Sequence, residues 1–404
     1  MKHFTGMEYL KIDIGNHYGL DKEQFKTRIN WVNKHEDILE KLSDKADNIF
    51  QYNAAVMAYR KAQNKKPIGY LVGLDACASG AQVMSALSGC KVGAMNTGLT
   101  GRSRKDIYGI VTDIMNEILE TGTQYDRAVI KAALMTFYYG SKKQPKLAFG
   151  EDTPELEAFY TAQQMVAPGA SMLMPILIGA WQPFVLEHIW DAADGFIIRK
   201  KVTEMMDAKI EVNELDGASF MYRYEKNQGT ETGLSLAADV VHSVDGFICR
   251  EMGRRCNYNP NDLMTVEEKL QKRVDEQTNF EPIEFTKIEK TFRKHNMMSL
   301  VGVEHLLKDD AHQYSILYCH KLLELIQRTI VRPSFPVIMI HDNFECHPNY
   351  MNTVRQTYID IFAEIADSTI LNAVLTDITG VPTEIPKLSN NLSSLIRNGE
   401  YALS

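Results

Sequence analysis

Two cations, a methionine and a tyrosine recur at four-residue intervals ahead of a glycine. These residues are Arg127, Lys131, Met135, Tyr139 and Gly140. Because residues four apart lie on one side of an α-helix, a helix here would present the first four along one face. Its cations could bind phosphates, and the methionine and tyrosine could contact the base and sugar of a nucleoside triphosphate. The alternative is a surface helix with two solvated cations.

Two aspartates stand at the ends of short apolar runs. Asp75 ends the run that starts at Tyr70, and Asp342 ends the run that starts at Pro336. Carboxylates at adjacent strand ends can hold two Mg²⁺ ions roughly 3.5–4 Å apart, the arrangement for in-line phosphoryl transfer. Mg²⁺ favours such a site because it takes few carboxylates and keeps positions for water and phosphate oxygens. The alternative is that each acid caps a following helix.

The composition is that of a soluble globular protein. The chain has 404 residues, 45% of them hydrophobic and 24% charged, so two or three substructures are expected. A net charge of −8 argues against indiscriminate nucleic-acid binding but does not exclude a basic channel. Six cysteines without a C-x-x-C pair indicate reduced thiols in a cytoplasmic setting. The start of the chain has no signal-peptide core, and the most apolar region, 166–181, is too short and broken to span a membrane.

The hydrophobic patterns predict a mixture of strands and helices. Strands are expected at Tyr9–Ile14, Tyr70–Asp75 and Pro336–Asp342, a hairpin at Lys209–Tyr224 with its turn at Asp216 and Gly217, and a strand running into a turn at Val240–Gly246. Helices are expected at Lys22–Asn33, Glu36–Lys45, Gln82–Leu87, Arg104–Leu119, Pro154–Met165, Phe184–Ala193, Lys201–Lys209 and Asn352–Ala366, and at Val266–Glu276 with a capping box of Thr265 and Glu268.

The order of these features resembles a known polymerase family. A strand ending in Asp75, the helix Arg127–Gly140 and a strand ending in His341 and Asp342 are similar to motifs A, B and C of the single-subunit DNA-directed RNA polymerases of phages and mitochondria. Further similar segments are Tyr9–Ile12, Gly19–Lys22, Arg28 and Ile29, Glu36–Ile38, Lys105–Val111, Asn116–Leu119 and Val241–Gly246. The resemblance covers residues 1–250 and 331–404 in the family's order.

The resemblance implies an α+β chain with the right-hand polymerase fold, in which a palm with an antiparallel sheet carries mostly helical fingers. The expected parts are a first palm part at 1–91, fingers at 92–242, and a second palm part at 243–404 with motif C at 336–344 and a helical insertion at about 251–330. The thumb and N-terminal domain are expected to be absent from this chain. Only 74 residues precede Asp75, and none matches the family's Thr/Asp-x-x-Gly-Arg motif.

The resemblance also implies catalytic roles. Asp75, Asp342 and the backbone carbonyl of Ala76 would bind two Mg²⁺ ions. Arg127 and Lys131 would bind the triphosphate, and Lys131 would protonate the departing pyrophosphate.

Nucleotide contacts follow from the same resemblance. Lys11 and Tyr108 would contact the incoming nucleotide, and Tyr139 would read its ribose. Gly140 would let the backbone approach the template base.

Two histidines have implied roles near the primer terminus. His341 would shape the strand end beside the metal ligand. His242 would lie against the minor groove of the newest base pairs, although a structural histidine is the alternative.

Two other positions favour ribonucleotides over deoxyribonucleotides. Related Pol-I-like DNA polymerases place a glutamate that blocks the 2′-hydroxyl where this chain has Gly80. They place an aromatic residue where this chain has Met135. An RNA polymerase is therefore expected. The alternatives are a Pol-I-like DNA polymerase or primase, or a catalytically inactive nucleic-acid-binding scaffold.

A second polypeptide is expected to supply the thumb and N-terminal functions. This chain would then be the large subunit of a split, heterodimeric phage enzyme in the host cytoplasm, with DNA template, RNA product and NTPs as its other ligands and no membrane attachment. The family's long basic promoter-reading ribbon should precede Val241, but residues 225–234 are short and hold two Glu against one Lys. Promoter use is therefore expected to need a partner, such as an accessory DNA-binding protein, or pre-opened DNA. The insertion would dock that partner or DNA, or have no specific role.

Overall fold

The fold combines many helices with small antiparallel sheets, so the expected α+β class is confirmed. The computed structural model describes residues 1–120, 122–228, 233, 235–276 and 282–404. The α-helices are α1 Gly6–Gly15, α2 Phe25–Lys34, α3 Ile49–Gln63, α4 Ser79–Ser88, α5 Lys91–Asn96, α6 Ile107–Leu119, α7 Arg127–Phe137, α8 Lys143–Phe149, α9 Pro154–Val166, α10 Pro168–Gly179, α11 Ser235–Cys256, α12 Pro260–Asp275, α13 Lys287–His295, α14 Val301–Leu306, α15 Ile316–Ile330, α16 Met351–Asp367, α17 Ile370–Thr379 and α18 Leu392–Arg397.

The strands are short except for one pair. They are β1 Val72–Asp75, β2 Glu187–Asp191, β3 Ile197–Lys201, β4 Thr203–Val212, β5 Ala218–Asn227, β6 Ile338–Ile340 and β7 Asn343–Cys346. A π-helical turn at Asn16–Leu20 and 3₁₀ turns at Glu36–Lys45, Asn213–Leu215, Ala311–Gln313 and Pro348–Tyr350 complete the regular structure. None of the described helices has the length and apolarity needed to cross a membrane.

The central sheet has the strand order β1-β7-β6, and both of its strand pairs are antiparallel. Asp75 at the end of β1 and Ile340 at the end of β6 both pair with Asn343 of β7. His341 and Asp342 therefore form a two-residue turn. His341 has a φ of 57°, the left-handed conformation that tight hairpin turns require. The register thus brings Asp75 and Asp342 to the same end of the sheet.

A fully buried helix lies behind that end of the sheet. Every residue of α4 is buried, and the helix starts after Ala78, which has a φ of 58° and a ψ of 68°. The helices α10, α11 and α16 all pack against α4 and bury it. The small side chains of α4 allow this close packing. Its Gln82 donates to the carbonyls of Thr97 and Ala402 at 3.0 Å and accepts from the Tyr358 hydroxyl at 2.8 Å. The amide's buried donors are therefore satisfied.

The described residues of 260–330 form a helical module with an apolar core of its own. Leu263, Val266 and Leu270 of α12 belong to this core together with residues of α13, α14 and α15. The ammonium of Lys294 bridges Asp191 and Asp377 and thereby ties the module to the rest of the chain. The region expected to be mostly helical is thus helical where it is described.

A long two-stranded ribbon separates the helices α10 and α11. β4 and β5 pair along ten residues each. Its turn contains Asp216 with a φ of 53° and Gly217 with a φ of 76°, conformations that suit aspartate and glycine. The hairpin predicted at Lys209–Tyr224 is therefore confirmed, and it is longer than predicted.

The ribbon also corrects one expectation. Only a short segment at 225–234 was expected ahead of α11, whereas a ribbon at 203–227 precedes it. Of the expected segment, residues 229–232 and 234 lie outside the described residues.

The strand predicted at Tyr9–Ile14 is wrong, because these residues lie in α1. A capping box starts this helix: Thr5 Oγ accepts from the Glu8 N–H at 3.2 Å, and the Glu8 carboxylate accepts from the Thr5 N–H at 2.7 Å. Leu10 and Ile14 are both buried and four residues apart. Burial of residues at helical spacing therefore decided the structure of this segment, although its polar and apolar residues alternate as they do in a strand.

Two predicted helices are strands. Phe184–Ala193 contains β2, and Lys201–Lys209 contains the end of β3 and most of β4. In β2, Ile189 is exposed and its neighbour Trp190 is buried, the two-residue period of a half-covered strand.

The strand predicted at Val240–Gly246 is also wrong, because this segment is helical. It lies inside α11, where buried Val240, Val244 and Ile248 recur every four residues. β-Branched residues favour strands locally, but packing of one helical face decided the structure.

The predicted capping box of Thr265 and Glu268 is also wrong, since both residues lie inside α12. That helix begins after Asn259, whose side chain accepts from the Asn261 N–H at 3.1 Å, and Pro260 is its first residue.

Candidate active site

A cavity of about 580 Å³ opens between the turn of the central sheet and the helices α4, α7 and α11. Predicted site residues in its lining are Asp75, Ala76, Gly80, Tyr108, Lys131, Met135, Tyr139, His242, His341 and Asp342. Residues not singled out from the sequence include Ser79, Tyr138, Asp245, Cys249 and Tyr358. The fold therefore gathers side chains that are hundreds of positions apart in the chain.

Asp75 and Asp342 face this cavity from neighbouring strand ends. The Ala76 N–H donates to the Asp342 carbonyl at 3.1 Å, and the Ser404 N–H donates to the Asp75 carbonyl at 2.9 Å. Burial and the charge of Asp342 raise the pKa of the Asp75 carboxyl to about 6. Among the described residues, no lysine or arginine forms an ion pair with either carboxylate. The two acids thus form a negative site whose charge is not compensated by direct pairing.

The oxygens of this negative site fit a hard divalent cation. Mg²⁺ binds carboxylate and carbonyl oxygens and keeps several positions for water and phosphate. Within the described part of the chain, no group of three or more His, Cys, Asp or Glu side chains is arranged to hold a metal ion. A metal at this site would therefore use the two carboxylates, the Ala76 carbonyl, and oxygens from water or substrate.

Lys131 reaches the cavity, and Arg127 stands beside it. α7 begins at Arg127 and carries Lys131 and Met135 on the face that lines the cavity. The Lys131 ammonium and the Arg127 guanidinium lie 5.8 Å and 5.5 Å from the centroid of the Tyr108 ring. Arg127 is outside the lining, and its guanidinium forms a two-point ion pair with Asp106.

Tyr139 is held between His242 and the start of α4. The two rings are stacked, with centroids 4.5 Å apart and planes inclined by 10°. The Tyr139 hydroxyl is 3.5 Å from Ser79 Oγ. A Cβ atom at Gly80 would lie 3.3 Å from Cζ of Tyr139, so glycine leaves room for the ring. Burial raises the pKa of Tyr139, and its hydroxyl therefore remains a proton donor at neutral pH.

His341 is exposed and lines the cavity beside Asp342. Its backbone carbonyl accepts a hydrogen bond from the Cys249 thiol at 3.3 Å. This contact joins α11 to the two-residue turn of the central sheet.

Asp245 is an acid of this cavity that the sequence reasoning did not select. Burial and the charge of Asp342 raise the pKa of its carboxyl to about 7. It stands three residues after His242, so a helix puts both on one side, whereas a strand would put them on opposite faces.

Two residues of the predicted site lie elsewhere. Lys11 is on α1, where its ammonium donates to Asn33 Oδ1 at 2.6 Å and lies 5.5 Å from the Tyr59 ring. Lys11 lies outside the cavity lining, and its expected contact with the nucleotide stays a prediction. Gly140 follows α7 with a φ of 81° and is buried outside the lining.

The two acids and Lys131 of α7 thus line the same cavity. Residues 3–148 match the family model described as DNA-dependent RNA polymerase. The matching part holds Asp75 and α7 but not Asp342, and it is a little over a third of the chain.

One curated relative is a protein of Neurospora crassa named as a probable DNA-directed RNA polymerase. It is 29% identical over 165 residues, which is 34% of this chain and 18% of the relative. The alignment thus spans less than a fifth of the relative's length.

Proposed function

We propose that this chain carries the catalytic centre of a DNA-directed RNA polymerase, which extends RNA on a DNA template from NTPs. The observation that carries the proposal is the meeting of two acids, a lysine and a tyrosine in one cavity. The family match over residues 3–148 supports it, and that stretch supplies one of the two acids.

The proposed architecture is the right-hand polymerase fold. Residues 1–91 and 243–404 form the palm, with motif C at 336–344, and residues 92–242 form the fingers. In support, the sheet β1-β7-β6 carries both acids, and helices make up most of 92–181.

Two Mg²⁺ ions are proposed to bind at Asp75, Asp342 and the Ala76 carbonyl. When bound, such ions stabilise charge on the attacking and departing oxygens of an in-line displacement. The chain's own contribution is to hold the two carboxylates at one end of a sheet, fixed by the backbone bond from Ala76 to Asp342.

Lys131 is proposed to bind the triphosphate of the incoming nucleotide. Its ammonium is exposed to the cavity, where it can neutralise phosphate charge and give a proton to the departing pyrophosphate oxygen. Arg127 and Tyr108 lie beside it, and we assign the guanidinium of Arg127 to the outer phosphates.

Tyr139 is proposed to contact the ribose. The stacked His242 ring and the room left by Gly80 fix the tyrosine's position, and the absence of a side chain at Gly80 leaves space for a 2′-hydroxyl. Met135 would contact the base, and His242 would lie against the minor groove of the newest base pairs.

The remaining roles concern the template and the primer. Gly140 would allow the template to approach the end of α7, and His341 would shape the turn beside the primer terminus. A second, smaller polypeptide is proposed to supply thumb and N-terminal functions. An accessory DNA-binding protein is proposed for promoter use.

Primer extension tests the function directly. The chain, alone and with any subunit that copurifies from its native source, is given an RNA primer on a DNA template with Mg²⁺ and either NTPs or dNTPs. We expect extension with NTPs, and Asp342→Asn should abolish it. Asp207→Asn, at an exposed acid of β4, is the matched control and should remain active.

The outcomes separate the alternatives. Preference for dNTPs would favour a DNA polymerase or primase. Template binding without extension in every preparation would favour an inactive scaffold. Extension that survives Asp342→Asn would contradict the two-metal assignment.

A further inference from the structure

Arg127 is fixed by an acid that has no assigned role. Its Nε donates to Asp106 Oδ2 at 2.5 Å, and its Nη2 donates to Oδ1 at 2.9 Å. The pair is half-buried, with the Arg127 and Asp106 side chains 32% and 23% exposed. Such two-point pairing fixes both the position and the plane of a guanidinium. The geometry is therefore much more restrictive than that of a solvated surface pair.

The acid is itself well anchored. Asp106 immediately precedes α6, and Arg127 is the first residue of α7. The carboxylate lies against the first turn of α6 at Gly109, where an added Cβ would be 3.1 Å from Oδ2. The ion pair thus joins the starts of two helices that pack on each other.

Tyr108 lies between the Asp106–Arg127 ion pair and the cavity. This residue follows Asp106 by two positions and lines the cavity. Its ring is within cation–π distance of both Arg127 and Lys131. The Tyr108 ring therefore connects the Asp106–Arg127 ion pair, which lies outside the lining, with Lys131 inside the cavity.

A guanidinium held in this way still has donors to offer. Of its five N–H groups, the two-point pair uses one on Nε and one on Nη2. The remaining donors, on Nη1 and Nη2, are free to meet a phosphate group. Because the plane of the guanidinium is already fixed, less side-chain freedom is lost when a phosphate binds.

We propose that Asp106 is a positioning residue, which holds the Arg127 guanidinium ready for the triphosphate of the incoming nucleotide. The proposal rests on the proposed function of the cavity. It is distinct from a competing arrangement in which Asp106 occupies Arg127 and must release it before the triphosphate binds. The two arrangements predict opposite effects when the carboxylate is neutralised.

The test is steady-state primer extension by the full chain in its active form. Asp106→Asn keeps the size of the side chain but removes its charge. We expect the KM for NTP to rise about 5–10-fold, the effect of losing one charge-assisted hydrogen bond, with kcat changed less than about twofold. Asp106→Glu should restore most of the loss. Asp113→Asn, at an exposed acid of the same helix, should have no effect.

A second variant separates positioning from general damage. In an Arg127→Lys background the two-point pair cannot form, so adding Asp106→Asn should change the KM little further. A full additional rise in that background would overturn the proposal. An unchanged or lowered KM for Asp106→Asn alone would also overturn it, and a lowered value would favour the competing arrangement.

Equilibrium binding keeps this inference separate from the proposed function. If no preparation extends a primer, the proposed function fails, and binding of Mg·ATP to the chain is measured by calorimetry. Weaker binding by Asp106→Asn than by the wild type would still support the positioning role. Equal binding, or no binding by the wild type, would overturn it.

Discussion

The cavity and the β4–β5 ribbon use similar side chains in opposite environments. In the cavity, Tyr139 is stacked on His242, and Tyr108 lies near two cations. On the ribbon, Tyr222 and Tyr224 stack on each other and are 42% and 38% exposed. Aromatic residues in the cavity are thus positioned by neighbours from distant parts of the chain, whereas those on the ribbon depend on one hairpin.

The register of the ribbon separates its residues by polarity. One face pairs Met206 with Tyr224, Ala208 with Tyr222, Ile210 with Phe220, and Val212 with Ala218. The other face holds ion pairs of Arg223 with Asp207 and of Lys209 with Glu211, both at 2.8 Å. β4 and β5 pack mainly on each other, so the described residues leave much of the apolar face exposed.

The ribbon's charge also differs from that of a phosphate-binding surface. Its acids are Glu204, Asp207, Glu211, Glu214, Asp216 and Glu225, and its bases are Lys209, Arg223 and Lys226. Phosphate contacts need cations, so this surface is a poor one for binding the DNA backbone. The ribbon has the length that was expected to be missing but lacks the expected basic character.

The largest expected effect is on the rate of primer extension, which should depend on an acid of the cavity and not on an acid of the ribbon. Asp75→Asn should lower the rate of primer extension by about 10²–10³-fold or more, the size seen when a principal stabiliser of the transition state is removed. Asp216→Asn, at the ribbon's turn, should leave the rate unchanged. Single-turnover extension at saturating Mg²⁺ measures both. Equal losses in the two variants would remove the functional distinction between the regions.

The next effect concerns the lysines. Lys131→Met should lower kcat about 10²-fold or more, because it removes both phosphate neutralisation and a proton donor. Lys209→Met, in the ribbon's polar face, serves as control. A loss confined to KM would leave Lys131 as a binding residue and contradict its role in proton transfer.

Substitutions should also lower the free energy of unfolding more in a helix of the cavity than on the ribbon. Leu134 of α7 is fully buried, and Leu134→Ala should lower the free energy of unfolding by about 2–5 kcal/mol. Ile210 of the ribbon is 39% exposed, and Ile210→Ala should change it by less than about 0.5 kcal/mol. Urea denaturation compares them. A large loss for Ile210→Ala would show that the ribbon's apolar face is covered in solution.

The smallest expected effect is a dependence of stability on pH. Burial and Asp342 raise the pKa values of Asp75 and Asp245 from 3.8 to about 6 and about 7. A raised pKa means that the native state holds its proton more tightly, so this contribution is complete below about pH 4 and is lost as pH rises through 6 and 7. In EDTA, the wild type should therefore lose stability between pH 5 and 8.

Asp245→Asn provides the control for this titration. It should reduce the pH-dependent loss by about 1 kcal/mol or more, since one pKa unit corresponds to about 1.4 kcal/mol, while Asp207→Asn should not. Millimolar Mg²⁺ at pH 8 should restore stability to the wild type by binding the ionised acids. An identical pH profile for wild type and Asp245→Asn would contradict the effect of burial and of Asp342 on the pKa of Asp245.

Much of the candidate site could be predicted because its chemistry is concentrated in short segments. The end of β1, the face of α7 and the turn before β7 each have a local pattern that the sequence shows plainly. Lys11 and Asp245 each lie in a segment that was predicted to be a strand and is helical. In both segments alternation or β-branched residues suggested a strand, and packing against other elements decided otherwise.

The sequence by itself determined which groups are available: two aspartates after apolar runs, and cations at helical spacing on α7. Only the tertiary structure decided which of them meet. Antiparallel pairing with β7 brings Asp75 beside Asp342, and the packing of α6 on α7 gives Arg127 its partner Asp106. Local patterns reflect local backbone preferences, whereas contacts between distant segments depend on how buried surfaces fit together, which no short stretch of sequence contains.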